Sequence, residues 1–220
     1  MPNRSQHSTT QTARLVLRAP TEADLDVLFD IYGDPATQRF NPMGAMSNRD
    51  AAGHMLWRWQ LHWMRHGFGI WAIALRDEPQ TVVGFGGVAW REGKDGEQLS
   101  LHVHLRADMA GFGFATEVGD AALVLAECHA PFEPVSASVV PGHYAAIGVL
   151  RKLGFRAVGQ VQDLPWLPAK THYLADTVRT RGMNEAAVGF RAVGKQMSSS
   201  ETVAMPAAAN SAHAAVLMTR

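Results

Sequence analysis

The sequence lacks three features that would place it in a special class of protein. It has one cysteine, Cys128, so no disulfide can form within the chain, which is typical of a reducing compartment. It has no run of about 18 apolar residues, and its first residues lack the apolar core of a secretion signal. Lys plus Arg number 20, as do Asp plus Glu, so the basic excess of a nucleic-acid binder is missing. We expect a cytoplasmic protein that binds neither membranes nor nucleic acid.

Apolar residues are abundant enough for a full core, at 47% of 220 residues against 18% charged. Residues 1–12 are polar and patternless and predict a flexible N-terminal arm. The Ser-, Ala- and Met-rich segment 181–220 predicts a mobile, low-complexity C-terminal tail. One domain is therefore expected over residues 13–180.

The hydrophobic pattern of this domain predicts an α+β fold of about seven strands and about four helices. The first three strands after the second helix have short links, which indicates an antiparallel meander. The second helix carries Trp57, Trp59 and Trp63 on several sides, which predicts that it is thoroughly buried. Strands are predicted over residues 14–18, 70–75, 81–90, 99–106, 135–140, 155–162 and 171–178, and helices over 21–33, 48–66, 114–125 and 143–153.

The most informative segment leads from a strand through a glycine-containing loop into a helix, over residues 104–118. Gly111 and Gly113 let backbone N–H groups approach a ligand, and the first turn of a helix attracts anions, so a pyrophosphate is the expected guest. A dinucleotide-binding loop needs a third glycine where Thr116 stands. The G-K-S/T of a phosphate-binding P-loop is also missing, so NAD and ATP both fit poorly.

The segment AGFGFATEV, residues 110–118, resembles the cofactor loop of GNAT acetyltransferases, in particular the branch that contains ribosomal-protein N-terminal acetyltransferases. TARLVLRAPTEADLDVLFDIYGDP resembles the opening strand and helix of that family, and VVGFGGV resembles its central strand. VSASVVPGHYAAIGVLRKLGF resembles its second half-site, usually written around N-x-A-S and L-x-K-L-G-F. The resemblance extends from Arg14 to Thr177, with its motifs in the family's order.

The resemblance implies a mixed, mostly antiparallel sheet that splays open between its fourth and fifth strands, here 99–106 and 135–140. Acetyl-CoA would be the co-substrate, with its pantetheine arm in the gap. Its acetyl group would pass to a primary amine, on a protein N-terminus or a small molecule, by direct attack in a ternary complex. The enzyme would be a monomer or homodimer. The cofactor-binding residues would be Val103 and Leu105 through their backbone, Ala110, Gly111, Phe112, Gly113, Phe114, Ala115 and Thr116 in the loop, and His143.

The catalytic residues are less clear, because the chain departs from the family pattern. His143 replaces an Asn, Ala146 replaces a Ser, and Ser100 stands where the family often has a Glu. His102 and His104 share one strand face and titrate near neutrality, so either is a candidate base. Tyr144 is a candidate proton donor to the departing thiolate.

Three other interpretations remain open at this point. The pair His102 and His104 could chelate a metal, but no Asp, Glu or Cys completes a ligand set, so no metal is expected. The missing Ser and Glu leave room for an acyl-CoA-binding sensor with little activity. A nucleotide-dependent enzyme is the weakest alternative. The acceptor side is expected to come from the first two helices and the loops 40–46 and 163–172.

Overall fold

The computed structural model describes residues 9–93 and 96–175. Within them, eight strands form one sheet in the order β1-β2-β3-β4-β5-β6-β8-β7, and all neighbours are antiparallel except β5 and β6. The strands are β1 Thr10–Gln11, β2 Leu15–Arg18, β3 Ile70–Leu75, β4 Val82–Gly93, β5 Gly96–Leu105, β6 Val135–Val139, β7 Arg156–Val161 and β8 Lys170–Ala175. The helices are α1 Leu25–Gly33, α2 Arg49–His66, α3 Phe114–His129 and α4 Tyr144–Lys152, with short 3-10 turns at Glu22–Asp24 and Ala107–Met109.

The helices cover both faces of the sheet and bury two clusters of apolar side chains. On one face α3 and α4 pack over the larger cluster, which includes Leu99 and Val118. On the other face α1 and α2 pack over a smaller cluster around Leu28 and Phe85. Gly86 on β4 lets α3 lie close to the sheet, since a Cβ there would stand 3.1 Å from Val118 Cγ1. The seven predicted strands correspond to β2–β8 and the four predicted helices to α1–α4, and the antiparallel meander is confirmed; β1 is an additional strand.

The sheet splays between β5 and β6, as the resemblance implied. These parallel strands pair only at Leu99 with Val135 and at Ser100 with Ser136. The buried Ser136 hydroxyl donates a hydrogen bond to the Leu99 carbonyl at 2.9 Å and closes the apex of the gap. Beyond Ser100 the strands separate, which leaves an open cleft along the C-terminal half of β5.

The structure differs from the predicted N-terminal arm over residues 10–12. Thr10 and Gln11 pair with β2, and Thr12 is buried with its hydroxyl bonded to Glu117. The Thr12–Glu117 contact joins residues 105 positions apart, which a local pattern does not reveal. The rest of that arm (residues 1–8), the last residues of the predicted domain and the predicted tail 181–220 lie outside the described residues.

Helix α2 is less buried than its three tryptophans predicted. Only Ala52 and Leu56 are buried on it, and Trp57 is 59% exposed. One stripe of α2 side chains faces α1 and the sheet, and the opposite side of the helix faces solvent. Cys128 on α3 is also exposed. Over the described residues, no helix is both long and apolar enough to span a bilayer.

Candidate active site

The loop between β5 and α3 has the backbone shape of an anion site. Gly111 and Gly113 have φ angles of +86° and +82°, which side chains with a Cβ rarely adopt. Gly113 is the N-cap of α3, so the loop ends where the helix dipole is positive. Residues 111–113 are exposed, as an incoming ligand requires.

Five consecutive N–H groups in this loop, from Gly111 to Ala115, have no hydrogen-bond acceptor among the described residues. The groups on either side are occupied: Ala110 N–H donates to the Ala107 carbonyl at 3.2 Å, and Thr116 N–H donates to the Gly113 carbonyl at 3.1 Å. The free donors are thus a shorter set than the sequence predicted, because Ala110 closes the preceding 3-10 turn and Thr116 already belongs to the first turn of α3.

The loop is held in place by Arg14, which sequence analysis did not single out. Arg14 Nη1 donates to the Phe112 carbonyl at 2.8 Å, and Arg14 Nε donates to Glu117 Oε2 at 2.8 Å. Thr12 also donates to Glu117. Burial acts to raise the pKa of Glu117, but these hydrogen bonds outweigh it and hold that pKa below its usual value. Glu117 is therefore a structural anion that ties the start of α3 to the edge of the sheet.

The cleft edge of β5 presents backbone groups that have no strand partner. Arg106 N–H donates to the Val83 carbonyl at 2.9 Å, so the backbone groups of His104 and His102 also point toward β4. The backbone groups of Val103 and Leu105 alternate with them and face the cleft. Since β6 pairs with β5 only as far as Ser100, this edge is open to an extended ligand.

The side chains of His102 and His104 lie on the α1–α2 face of β5. His102 Nε2 lies 2.5 Å from the Tyr32 hydroxyl, and His104 Nε2 lies 2.7 Å from Gln38 Nε2. Burial, reinforced by His104 and Arg91, lowers the pKa of His102 to about 3. Burial, reinforced by His143, lowers the pKa of His104 to about 4. Burial also raises the pKa of Tyr32. All three groups are neutral at pH 7.

His143 and Tyr144 begin α4 and have different surroundings. His143 Nδ1 accepts a hydrogen bond from Ala146 N–H at 3.0 Å, so its imidazole caps the helix. Its ring packs on Phe40 with a centroid distance of 4.0 Å, and burial lowers its pKa. Tyr144 is 81% exposed, and its hydroxyl has no hydrogen bond within the part of the chain that the structure describes.

The three tryptophans of α2 have different surroundings. Trp59 packs against Tyr32 and His102, with centroid distances of 6.1 Å and 6.3 Å. Trp63 instead donates from its indole to the Ile70 carbonyl, and Trp57 faces solvent. Within residues 9–93 and 96–175, no group of three or more His, Cys, Asp or Glu side chains could hold a metal ion.

Tyr32 and Gln38 are the site residues that sequence reasoning missed. Tyr32 lies on the predicted helix 21–33, and Gln38 lies in an irregular segment with no periodicity. Their histidine partners are 70 and 66 positions away, so no local pattern links them. The only available signal was that Tyr32 lies on the predicted helix 21–33, one of the elements expected to form the acceptor side; Gln38 lies outside all of those elements.

Known proteins share this architecture. The family profile described as an acetyltransferase (GNAT) domain matches residues 14–156. A putative GNAT-family acetyltransferase from Bordetella pertussis is 19% identical, with a TM-score of 0.64 over 76% of this chain and 98% of that one. A ribosomal α-N-protein acetyltransferase in complex with coenzyme A is 14% identical, with a TM-score of 0.61 over 77% and 98%. Spermidine N-acetyltransferase from Vibrio cholerae, with CoA and spermine, is 14% identical, with a TM-score of 0.59 over 74% and 96%.

Proposed function

The chain belongs to the GNAT acetyltransferase family and is an acetyl-CoA-dependent N-acetyltransferase, and from that premise we propose that its acceptor is an α-amine. The observation that carries this proposal is that the two histidines on the acceptor face of β5 are neutral, with lowered pKa values. With pKa values of about 3 and about 4, His102 and His104 are poor proton acceptors at neutral pH. The cleft therefore suits an amine that arrives neutral.

The choice of amine follows from its own pKa. At pH 7.5 roughly 30% of an α-amine with a pKa of about 7.9 is neutral, against roughly 0.1% of a lysine-type amine with a pKa of about 10.4. An enzyme without a strong base on its acceptor face therefore acetylates an α-amine faster, because a larger fraction of that amine is already neutral. The resemblance of residues 110–118 to the ribosomal-protein branch supports a protein N-terminus as the acceptor, and a small molecule with an α-amine meets the same requirement.

Acetyl-CoA is held by backbone groups in this proposal. The five free N–H groups from Gly111 to Ala115 donate to the pyrophosphate at the N-terminus of α3. The pantetheine amides pair with the cleft-facing backbone of Val103 and Leu105, as an added strand would. His143, whose Nδ1 caps α4, contacts the cofactor through Nε2 from the other wall of the cleft.

The transfer itself is a direct attack. The neutral amine attacks the thioester carbonyl, a C–N bond forms, and a cleft-facing backbone N–H of β5 stabilises the oxyanion. The C–S bond then breaks and the sulfur leaves as a thiolate. The proton that the amine loses passes to water in the open cleft. Tyr144, whose hydroxyl is exposed and has no described partner, is the candidate proton donor to the thiolate. Positioning supplies most of the rate enhancement.

Steady-state release of free CoA thiol at pH 7.5 tests the choice of acceptor. Three acceptors are compared: a lysine-free peptide with a free N-terminus, the same peptide Nα-acetylated and carrying one lysine, and spermidine. We expect kcat/KM to be at least about 10-fold higher on the free N-terminus, within the roughly 200-fold difference in neutral fraction. Faster turnover of the lysine peptide or of spermidine contradicts the proposal.

Tyr144→Phe lowers kcat without changing the Kd for CoA if that hydroxyl is the proton donor.

A further inference from the structure

A chain of oriented amides leads from the loop after α1 to the acceptor face of β5. Asn41 Oδ1 accepts a hydrogen bond from Met43 N–H at 3.1 Å, and Asn41 Nδ2 donates to the Gly44 carbonyl at 2.8 Å. Each end of the Asn41 amide thus has a backbone partner of fixed polarity, so the amide has one orientation. Asn41 Nδ2 also donates to Gln38 Oε1 at 2.8 Å.

The orientation of Asn41 determines the orientation of Gln38. Gln38 is 5% exposed, and its oxygen is occupied by the Asn41 donor. Its amide nitrogen therefore faces His104 Nε2 at 2.7 Å. A side-chain NH₂ group only donates, so His104 Nε2 must accept, and the proton of the neutral imidazole is on Nδ1.

We propose that Gln38, oriented by Asn41, is a positioning residue of this acetyltransferase: it holds His104 as the Nδ1–H tautomer, so that His104 donates a hydrogen bond to bound substrate and does not serve as the base. The role of the donor in transfer rests on the proposed function, and the state of the imidazole does not. His104 Nδ1–H has no hydrogen-bond acceptor among the described residues, so it is available to a bound molecule.

The groups around His104 favour the neutral state. The Tyr32 ring from α1 stacks on it with a centroid distance of 4.4 Å, and His102 on the same strand lies 6.3 Å away. His143 at the start of α4 acts on it from the other wall of the cleft. These titratable neighbours carry no negative charge at neutral pH, so nothing here stabilises an imidazolium. The Gln38 donor adds to this effect, because an amide NH₂ cannot accept a hydrogen bond from a protonated His104 Nε2.

The first test is ¹⁵N NMR of the full chain without ligand, which reports the tautomer and pKa of His104 directly. We expect Nδ1 protonated and Nε2 accepting in the wild type. Gln38→Glu replaces the donor with a carboxylate, so we expect Nε2 to become protonated and the pKa of His104 to rise by about 1–3 units. Gln98→Glu is the matched control, because it adds the same charge on β5, the strand of His104, but about 20 Å from that histidine. We expect the tautomer and pKa of His104 in this control to match the wild type. Nε2 protonated in the wild type overturns the proposal.

The second test is kinetic and uses variants that leave His104 intact. Gln38→Leu removes the donor. Asn41→Ala, a change at an exposed loop position, frees the Gln38 amide to rotate and replaces Gln38→Leu as the test if that buried variant fails to fold. We expect kcat/KM for the preferred amine to fall about 10-fold in either folded variant, with the Kd for CoA unchanged. In Gln38→Glu the neutral His104 carries its proton on Nε2 and lacks the Nδ1–H donor, so we expect kcat/KM to be lower than in the wild type at pH values above the NMR pKa of His104.

The two proposals fail separately. A wild type that prefers lysine or spermidine but shows the Nδ1–H tautomer sinks the α-amine assignment and leaves the role of Gln38 standing. Unchanged kcat/KM in the Gln38 variants at pH values above the NMR pKa of His104 sinks the positioning role, whichever amine is preferred.

Discussion

Arg14 and Glu117 lie 103 residues apart in the chain, and their side chains meet in a two-point ion pair beside the loop that opens α3. The same guanidinium donates to the Phe112 carbonyl and lies 4.6 Å from the centre of the Phe114 ring. The turn between β1 and β2 therefore braces the segment whose free N–H groups form the anion site. The shape of this loop depends on tertiary contacts as well as on its two glycines.

Arg14→Ala is expected to weaken CoA binding and lower stability modestly. The variant loses the anchor of the Phe112 carbonyl and leaves Glu117 with fewer donors. Since Arg14 is half-exposed, we expect the free energy of CoA binding to weaken by about 1 kcal/mol, which corresponds to about a 5-fold higher Kd for CoA by calorimetry. Arg49→Ala breaks the exposed Arg49–Asp26 pair elsewhere and should leave that Kd alone. An equal change in both variants would refute the bracing role.

Gly111→Ala is expected to strain the loop out of its binding shape. No atom stands within 4 Å of the added Cβ, so the cost arises from the φ angle of +86° and is about 1–2 kcal/mol. Relaxation of that strain turns the N–H groups away from a common point, so the Kd for CoA rises at least about 10-fold, the equivalent of about 1.4 kcal/mol. Gly67→Ala, at φ +73° and equally open at the end of α2, carries the same strain. It should lose similar stability by urea denaturation and bind CoA normally.

The free energy of unfolding is expected to fall as the pH is lowered from 7 to about 4. His102 and His104 have folded-state pKa values of about 3 and about 4, below the ordinary 6.5, so the unfolded chain takes up protons first. Their contribution is complete above pH 6.5 and decreases below it, by roughly 2 kcal/mol per histidine at pH 5. Urea titrations at pH 7.5 and pH 5 measure this loss. His102→Gln should remove about half of it, and an identical pH dependence in that variant would contradict the burial argument.

The fold and the cofactor loop were accessible to sequence reasoning because their signals are local. Alternation along β5, glycines at 111 and 113, and the helical period that follows are properties of consecutive residues. The boundaries of most elements agree within a few residues with the structure. The exposed face of α2 was mispredicted because three tryptophans suggested burial, whereas only contact with a neighbouring layer decides which side of a helix is covered.

The sequence by itself determined the order of strands and helices, the position of the glycine turn and the residue types on each face of β5, since backbone propensity and side-chain alternation act over a few positions. Tertiary structure alone decided the chemistry of those side chains. Tyr32 and Gln38 approach His102 and His104 from segments 70 and 66 residues away, and burial there lowers both imidazole pKa values. A histidine in a sequence is a group that titrates near neutrality; packed under α1, each of these two is a neutral partner in a hydrogen bond.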